Sequence, residues 1–158
     1  MRQRDGPLKN FNSVTKGDNI SFERNGICRI RYKHHGIVYE KISSKKVDIV
    51  HLTGDSVDLM CSSFSSSNAG LAMKVVDIDK GETIYKYTYI DKREDKLNPG
   101  DVAHAIRMEG LPSSYNLVNF NCESFAAYCA IGKVVSKQTG RFNKEAEDKL
   151  NEIVKKYY

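Results

Sequence analysis

Asn121-Cys122-Glu123-Ser124-Phe125 decides how this chain is read. Cys122 stands at the expected start of a helix, because Cys122, Phe125, Ala126 and Cys129 recur at helical spacing and share one face. Gly132 follows as a plausible C-cap. A thiol at a helix N-terminus feels the partial positive charge of unpaired backbone N–H groups. That field favours the thiolate, the form that attacks carbonyl carbon. A histidine within hydrogen-bond reach would complete an activated nucleophile. Two histidine-bearing stretches lie upstream, Tyr32-Lys33-His34-His35-Gly36-Ile37 and Ile49-Val50-His51-Leu52.

Working outward, the segments before the thiol read as strands. Residues 19–24 alternate polar and apolar, Asn25-Gly26 is a hairpin signal, and residues 27–42 are rich in β-branched and aromatic side chains. Residues 47–52, 71–78 and 83–90 follow as strands, with turns at 43–46, Thr53-Gly54-Asp55 and Asp79-Lys80-Gly81. The Ser-rich stretch 62–70 reads as a flexible loop. Asn98-Pro99 opens a helix that ends near Gly110, with Asn as N-cap and Pro at the first helical position. A short segment over 115–120 leads into the Cys122 helix. Strands first and helices after is an α+β order.

The two ends read differently. Residues 1–15 are polar and aperiodic, a flexible N-terminal arm. In the tail, Phe142, Ala146, Leu150, Ile153, Val154 and Tyr157 form one stripe of an amphipathic helix over 136–158. Such a helix packs on its own domain more often than on a membrane. Lys155, Lys156, Tyr157 and Tyr158 keep the interfacial alternative open.

The chain has 158 residues, 40% hydrophobic and 28% charged, which suits one globular domain with a real core. No window approaches the roughly 18 apolar residues of a transmembrane helix, and the first residues lack a signal-peptide core. The cysteines at 28, 61, 122 and 129 form no CxxC pair, so reduced thiols in a cytoplasmic setting are expected. The net charge of +5 suits weak attraction to anionic lipid or to RNA and does not choose between them. Read as zinc ligands, His34, His51 and Cys122 lack the close paired spacing of such sites, so neither metal nor cofactor is expected.

Four blocks, taken together and in order, resemble the lecithin:retinol acyltransferase and HRAS-like suppressor family, within the wider NlpC-like group. They are Gly17-Asp18-Asn19-Ile20, Tyr32-Lys33-His34-His35-Gly36-Ile37-Val38-Tyr39, Ile49-Val50-His51-Leu52 and the Asn121-Cys122-Glu123-Ser124-Phe125 block with its continuation to Gly132. The resemblance covers roughly residues 15–132. It implies a circularly permuted papain-like fold, an antiparallel sheet packed against the helix that carries the cysteine. The acyltransferase-like domain would span 16–135, with the tail helix on or beside it.

The same resemblance implies Cys122 as nucleophile, His34 as general base, His51 as the residue orienting His34, and Tyr32 as a partner of the oxyanion. The implied chemistry is attack on a phospholipid ester at a membrane surface, with an acyl-thioester on Cys122. Three features depart from the family pattern: Ser124 stands where the block has histidine, His35 replaces a bulky aromatic, and residues 40–46 lengthen the hairpin between His34 and His51. His34 and His35 are adjacent on a strand and must face opposite ways, which leaves the identity of the base to be decided. A non-catalytic member of the picornaviral type, binding RNA or host proteins, and an NlpC-like amide hydrolase are the alternatives. Cys129 and His104 read as packing and as surface or structural residues.

Overall fold

A computed structural model describes residues 2–25, 31–53, 70–81, 83–111, 121–136, 141–142 and 144–158. Cys28, Cys61, Gly26 of the hairpin signal, residues 54 and 55 of the expected turn, residues 62–69 of the Ser-rich loop and the 115–120 lead-in lie outside the described residues. Six strands form one antiparallel sheet: β1 (Arg2–Asp5), β2 (Asn19–Asn25), β3 (Arg31–Lys41), β4 (Lys46–Thr53), β5 (Gly70–Asp77) and β6 (Ile84–Tyr89). Their order across the sheet is β1-β6-β2-β3-β4-β5. Among the described residues three helices follow, α1 (Pro99–Glu109), α2 (Cys122–Ile131) and α3 (Lys144–Tyr157), with a small β7 (Val135–Ser136) and β8 (Arg141–Phe142) pair between the last two. The expected α+β order is observed.

Period-two alternation sorts the strand side chains onto two faces. Ile37, Val50 and Leu52 point to the helices and pack with Val102, Ile106, Phe125, Leu150 and Val154. Ile20, Phe22, Val38, Val47, Ile49 and Ile84 point the other way, where Phe11 and Val14 cover them. Each fully buried side chain of this size contributes about 1.5–3 kcal/mol relative to exposure.

The helix ends follow local chemistry. Asn98 Oδ1 accepts from the Gly100 N–H at 2.8 Å, Pro99 holds the first helical position, and the Gly110 N–H closes α1 on the Ile106 carbonyl. At α2, Asn121 Oδ1 accepts from the Ser124 N–H at 2.9 Å, and Gly132 ends the helix at φ 77°, a left-handed value that favours glycine.

Two expectations are corrected and one, the buried face of α2, is widened. The first fifteen residues are not a loose arm. β1 pairs with β6 from Arg2↔Tyr89 to Asp5↔Lys86, and Phe11 and Val14 are fully buried. Backbone ladder bonds need no apolar side chains, which is why the polar run Arg2-Gln3-Arg4-Asp5 gave no strand signal. Second, α2 has no solvent face over its first eight residues; Cys122 to Cys129 are all buried, wedged among β3, α1 and β7. Third, the tail helix starts at Lys144, and Phe142 belongs to β8 instead. Ala146, Leu150, Ile153 and Val154 are buried in the helix-side core while Tyr157 stays exposed, so the stripe is occupied by the protein's own domain.

Candidate active site

Cys122 is the first residue of α2. The β3–β4 register ends at Gly36↔His51. One residue before that point along β3, the His35 peptide N–H donates to Cys122 Sγ at 3.5 Å, and the thiol donates to the Lys33 carbonyl at 3.7 Å. The sulfur therefore lies against the peptide groups on both sides of His34. Helix α2 comes to this place because Phe125, Ala126 and Cys129 bury against the sheet and pull the helix N-terminus onto β3.

His34 and His51 meet on the sheet face away from the helices. His34 Nε2 and His51 Nδ1 are 2.8 Å apart, with ring centroids at 5.0 Å and planes near perpendicular at 80°. The Phe22 ring, opposite His34 in the β2–β3 register, lies 5.1 Å from it. Gly36 stands between these histidines in register, and a Cβ there would come within 2.5 Å of Ile49 Cδ1. The absence of a side chain at 36 leaves the space that the Ile49 side chain fills on the face of the imidazole pair.

His35 faces the helices, as strand alternation requires. It is fully buried, its ring lies 5.1 Å from that of Tyr87, and Nδ1 is 3.3 Å from Asn19 Oδ1. Burial, with Arg2 and Lys33 adding to it, pushes its pKa down to about 3. His35 Nε2 is also 4.0 Å from Glu123 Oε2, the separation of a weak ion pair. The loss of hydration on burial outweighs a contact at that distance, so His35 is neutral at physiological pH. A base with so low a pKa cannot hold a thiol proton near neutrality, which counts against His35 as the catalytic base.

The thiol itself departs from expectation. Burial pushes Cys122 up to about 11, against the opposing pull of the His35 N–H and with a further upward push from Glu123. The helix-terminus field expected to favour the thiolate is outweighed by desolvation in this closed arrangement. Cys129, two turns along, is fully buried and pushed higher still by desolvation. Tyr32 is on β3 by its backbone, and its side chain lies outside the described residues. His104 is half-buried and stacks on Tyr39 at 4.7 Å. No group of three metal-binding side chains occurs among the described residues.

A cleft of about 440 Å³ lies between β2, β6 and the start of α1, with Asn19, Tyr87, Tyr89, Arg93 and Asn98 in its wall. Its lining includes none of Cys122, His34 and His51. The cleft carries Lys16, Asp18, Asp91 and Lys92 but no cysteine or histidine. Sequence reasoning missed Arg2 and Glu123, which pair beneath the start of α2 at 3.2 Å. The signal available was an acid directly after Cys122, with no apolar pattern around Arg2 to suggest its partner.

Compared with known families, the lecithin retinol acyltransferase family model matches residues 12–135. No curated protein and no solved structure matches the chain. The matched span holds every strand from β2 to β6, the histidine pair and the whole of α2.

Proposed function

The chain belongs to the lecithin retinol acyltransferase family, and from that premise we propose that it is a thiol-dependent phospholipid acyltransferase or phospholipase A on a circularly permuted papain-like fold. The observation that carries this reading is the Cys122 thiol seated on the peptide groups flanking His34, whose ring is in turn held by His51. Nδ1 is the imidazole nitrogen nearer the strand backbone, so it is the one to which we assign the thiol proton. For it to accept a proton, Nε2–H of His34 donates to His51 Nδ1, and His51 thereby fixes the tautomer.

The reaction then runs in two halves. Cys122 gives its proton to His34 Nδ1 as Sγ attacks the ester carbonyl, and Tyr32 supports the oxyanion. The tetrahedral intermediate expels the alcohol, which takes the proton from His34, and leaves an acyl-thioester. Water, an amine or an alcohol next gives its proton to His34, attacks the thioester, and the sulfur leaves and is reprotonated. A resting thiol near 11 is ionised in about one molecule in 10⁴ at neutral pH. Attack is therefore coupled to proton transfer to His34, or follows displacement of the sulfur from its two peptide partners.

Lipid reaches such a site from a membrane surface. No helix among the described residues is long and apolar enough to cross a membrane, so we place the protein peripherally, drawn by its basic residues. The buried thiol favours one second reading, a non-catalytic family member that binds RNA or a protein partner. Intact mass after incubation with phospholipid vesicles separates the two. A gain of one acyl group on wild type, absent from Cys122→Ser, supports the enzyme. An unchanged mass together with undetectable lysophospholipid release sinks it.

A further inference from the structure

Beneath the N-terminus of α2 the sheet carries a second buried arrangement of charge. The β1–β6 register places Arg2 opposite Tyr89. Its guanidinium lies over the Tyr87 ring, 4.5 Å from the centroid, and Nη2 donates to Glu123 Oε2 at 3.2 Å. Both side chains are largely withdrawn from solvent, at 14% and 5% exposure, so the pair is weakly screened. Glu123 immediately follows Cys122 in the first turn of α2.

His35 does not supply a second cation there. The Asn19 amide nitrogen donates to the Tyr89 hydroxyl at 3.1 Å, which turns Asn19 Oδ1 toward His35 Nδ1. Nδ1 then carries the proton, and Nε2 presents its lone pair to Glu123 with no hydrogen-bond partner of its own. A neutral imidazole makes no ion pair with a carboxylate, whereas Arg2 does.

We propose that Arg2 is a positioning residue for the Cys122 site, its ion pair with Glu123 neutralising a carboxylate one residue from the nucleophile and so setting the pH at which the thiol reacts. A negative charge beside a thiol disfavours the thiolate, and a cation bound to that charge offsets it. Glu123 indeed pushes the thiol upward, although desolvation is the larger cause. Among the described residues, the charged and titratable groups around the sulfur are Glu123 on α2, Lys33, His34 and His35 on β3, His51 on β4, and Arg2 and Tyr89 behind Glu123. Arg2 is the member of this set supplied by β1, outside the residues 12–135 that match the family model.

This inference rests on Cys122 being the reactive thiol. It is tested on the full chain by the rate of Cys122 alkylation with iodoacetamide, an uncharged reagent, followed against pH and located by peptide mass. Arg2→Gln is expected to raise the midpoint by about one pH unit, slowing alkylation about tenfold below it. Glu123→Gln is expected to lower the midpoint, Arg2→Lys to stay near wild type, and Arg2→Gln with Glu123→Gln to return most of the way. If Arg2→Gln does not fold, the midpoint of Glu123→Gln carries the test. Unmoved midpoints in the folded variants, whatever their melting temperatures, overturn the role of Arg2 and leave the nucleophile standing. A wild-type Cys122 that resists alkylation across the whole pH range overturns both.

Discussion

His34 and His35 are neighbours in sequence and differ in almost everything else. On one face of β3, His34 touches another imidazole and shares a wall with Phe22. On the other, His35 is sealed between Tyr87, Asn19 and Glu123 and is pushed down to about 3. A one-residue step along the strand thus separates a histidine hydrogen-bonded to a second imidazole from one locked in its neutral form. The comparison teaches that a histidine's use is set by the face it falls on, because the face decides which dipoles and charges surround it.

The sharpest way to break that contrast is to exchange the two histidines' consequences. His34→Gln should cut acyl transfer by 10²-fold or more, the scale of a lost general base, in a steady-state lipid assay. His35→Gln should keep far more activity, since its ring hands no proton to the thiol. Equal losses in the two variants would erase the functional difference between the faces.

Acid titration sharpens it further. His35 has a folded pKa near 3 against 6.5 when free. Between those values the unfolded chain binds a proton that the native chain does not, so stability is fully present above about pH 6.5 and declines as pH falls toward 3. Urea midpoints of wild type should fall across this window, and His35→Gln should show a shallower fall. Identical slopes would mean that His35 is hydrated or paired as a cation.

The smallest expected effect compares the two thiols of α2. Cys129→Ala removes one buried sulfur from the helix-side core and should cost about 1–2 kcal/mol in a denaturant melt. The alkylation profile of Cys122 should not move. A shift there would show that packing two turns away governs the site.

Local chemistry was readable from the sequence wherever one residue controls it. Asn98-Pro99 announced α1, Gly132 announced the end of α2, and alternation in 19–24 and 47–52 announced two strands of the sheet. The family blocks singled out the two histidines that the sheet brings into contact. Effects that need a partner from elsewhere were not readable. The stripe of α3 looks the same whether a membrane or a sheet of helices covers it. The thiol's high pKa comes from desolvation by residues distant in sequence, and the helix field alone suggested the opposite sign. Ser124, noted as a departure from the family block, proves to donate its backbone N–H to the Asn121 cap, a role its side chain does not determine.

β1 has one more consequence, for neighbours rather than for chemistry. It ends the sheet, and a terminal strand offers a row of backbone donors and acceptors on which another chain can add. Here that rim is Arg2-Gln3-Arg4-Asp5, with the guanidiniums of Arg2 and Arg4 held over Tyr87 and Tyr85. Three charged residues in four on an outermost strand make a poor template for a copy of itself. The four residues with no hydrophobic signal are therefore also a guard against the sheet growing from molecule to molecule.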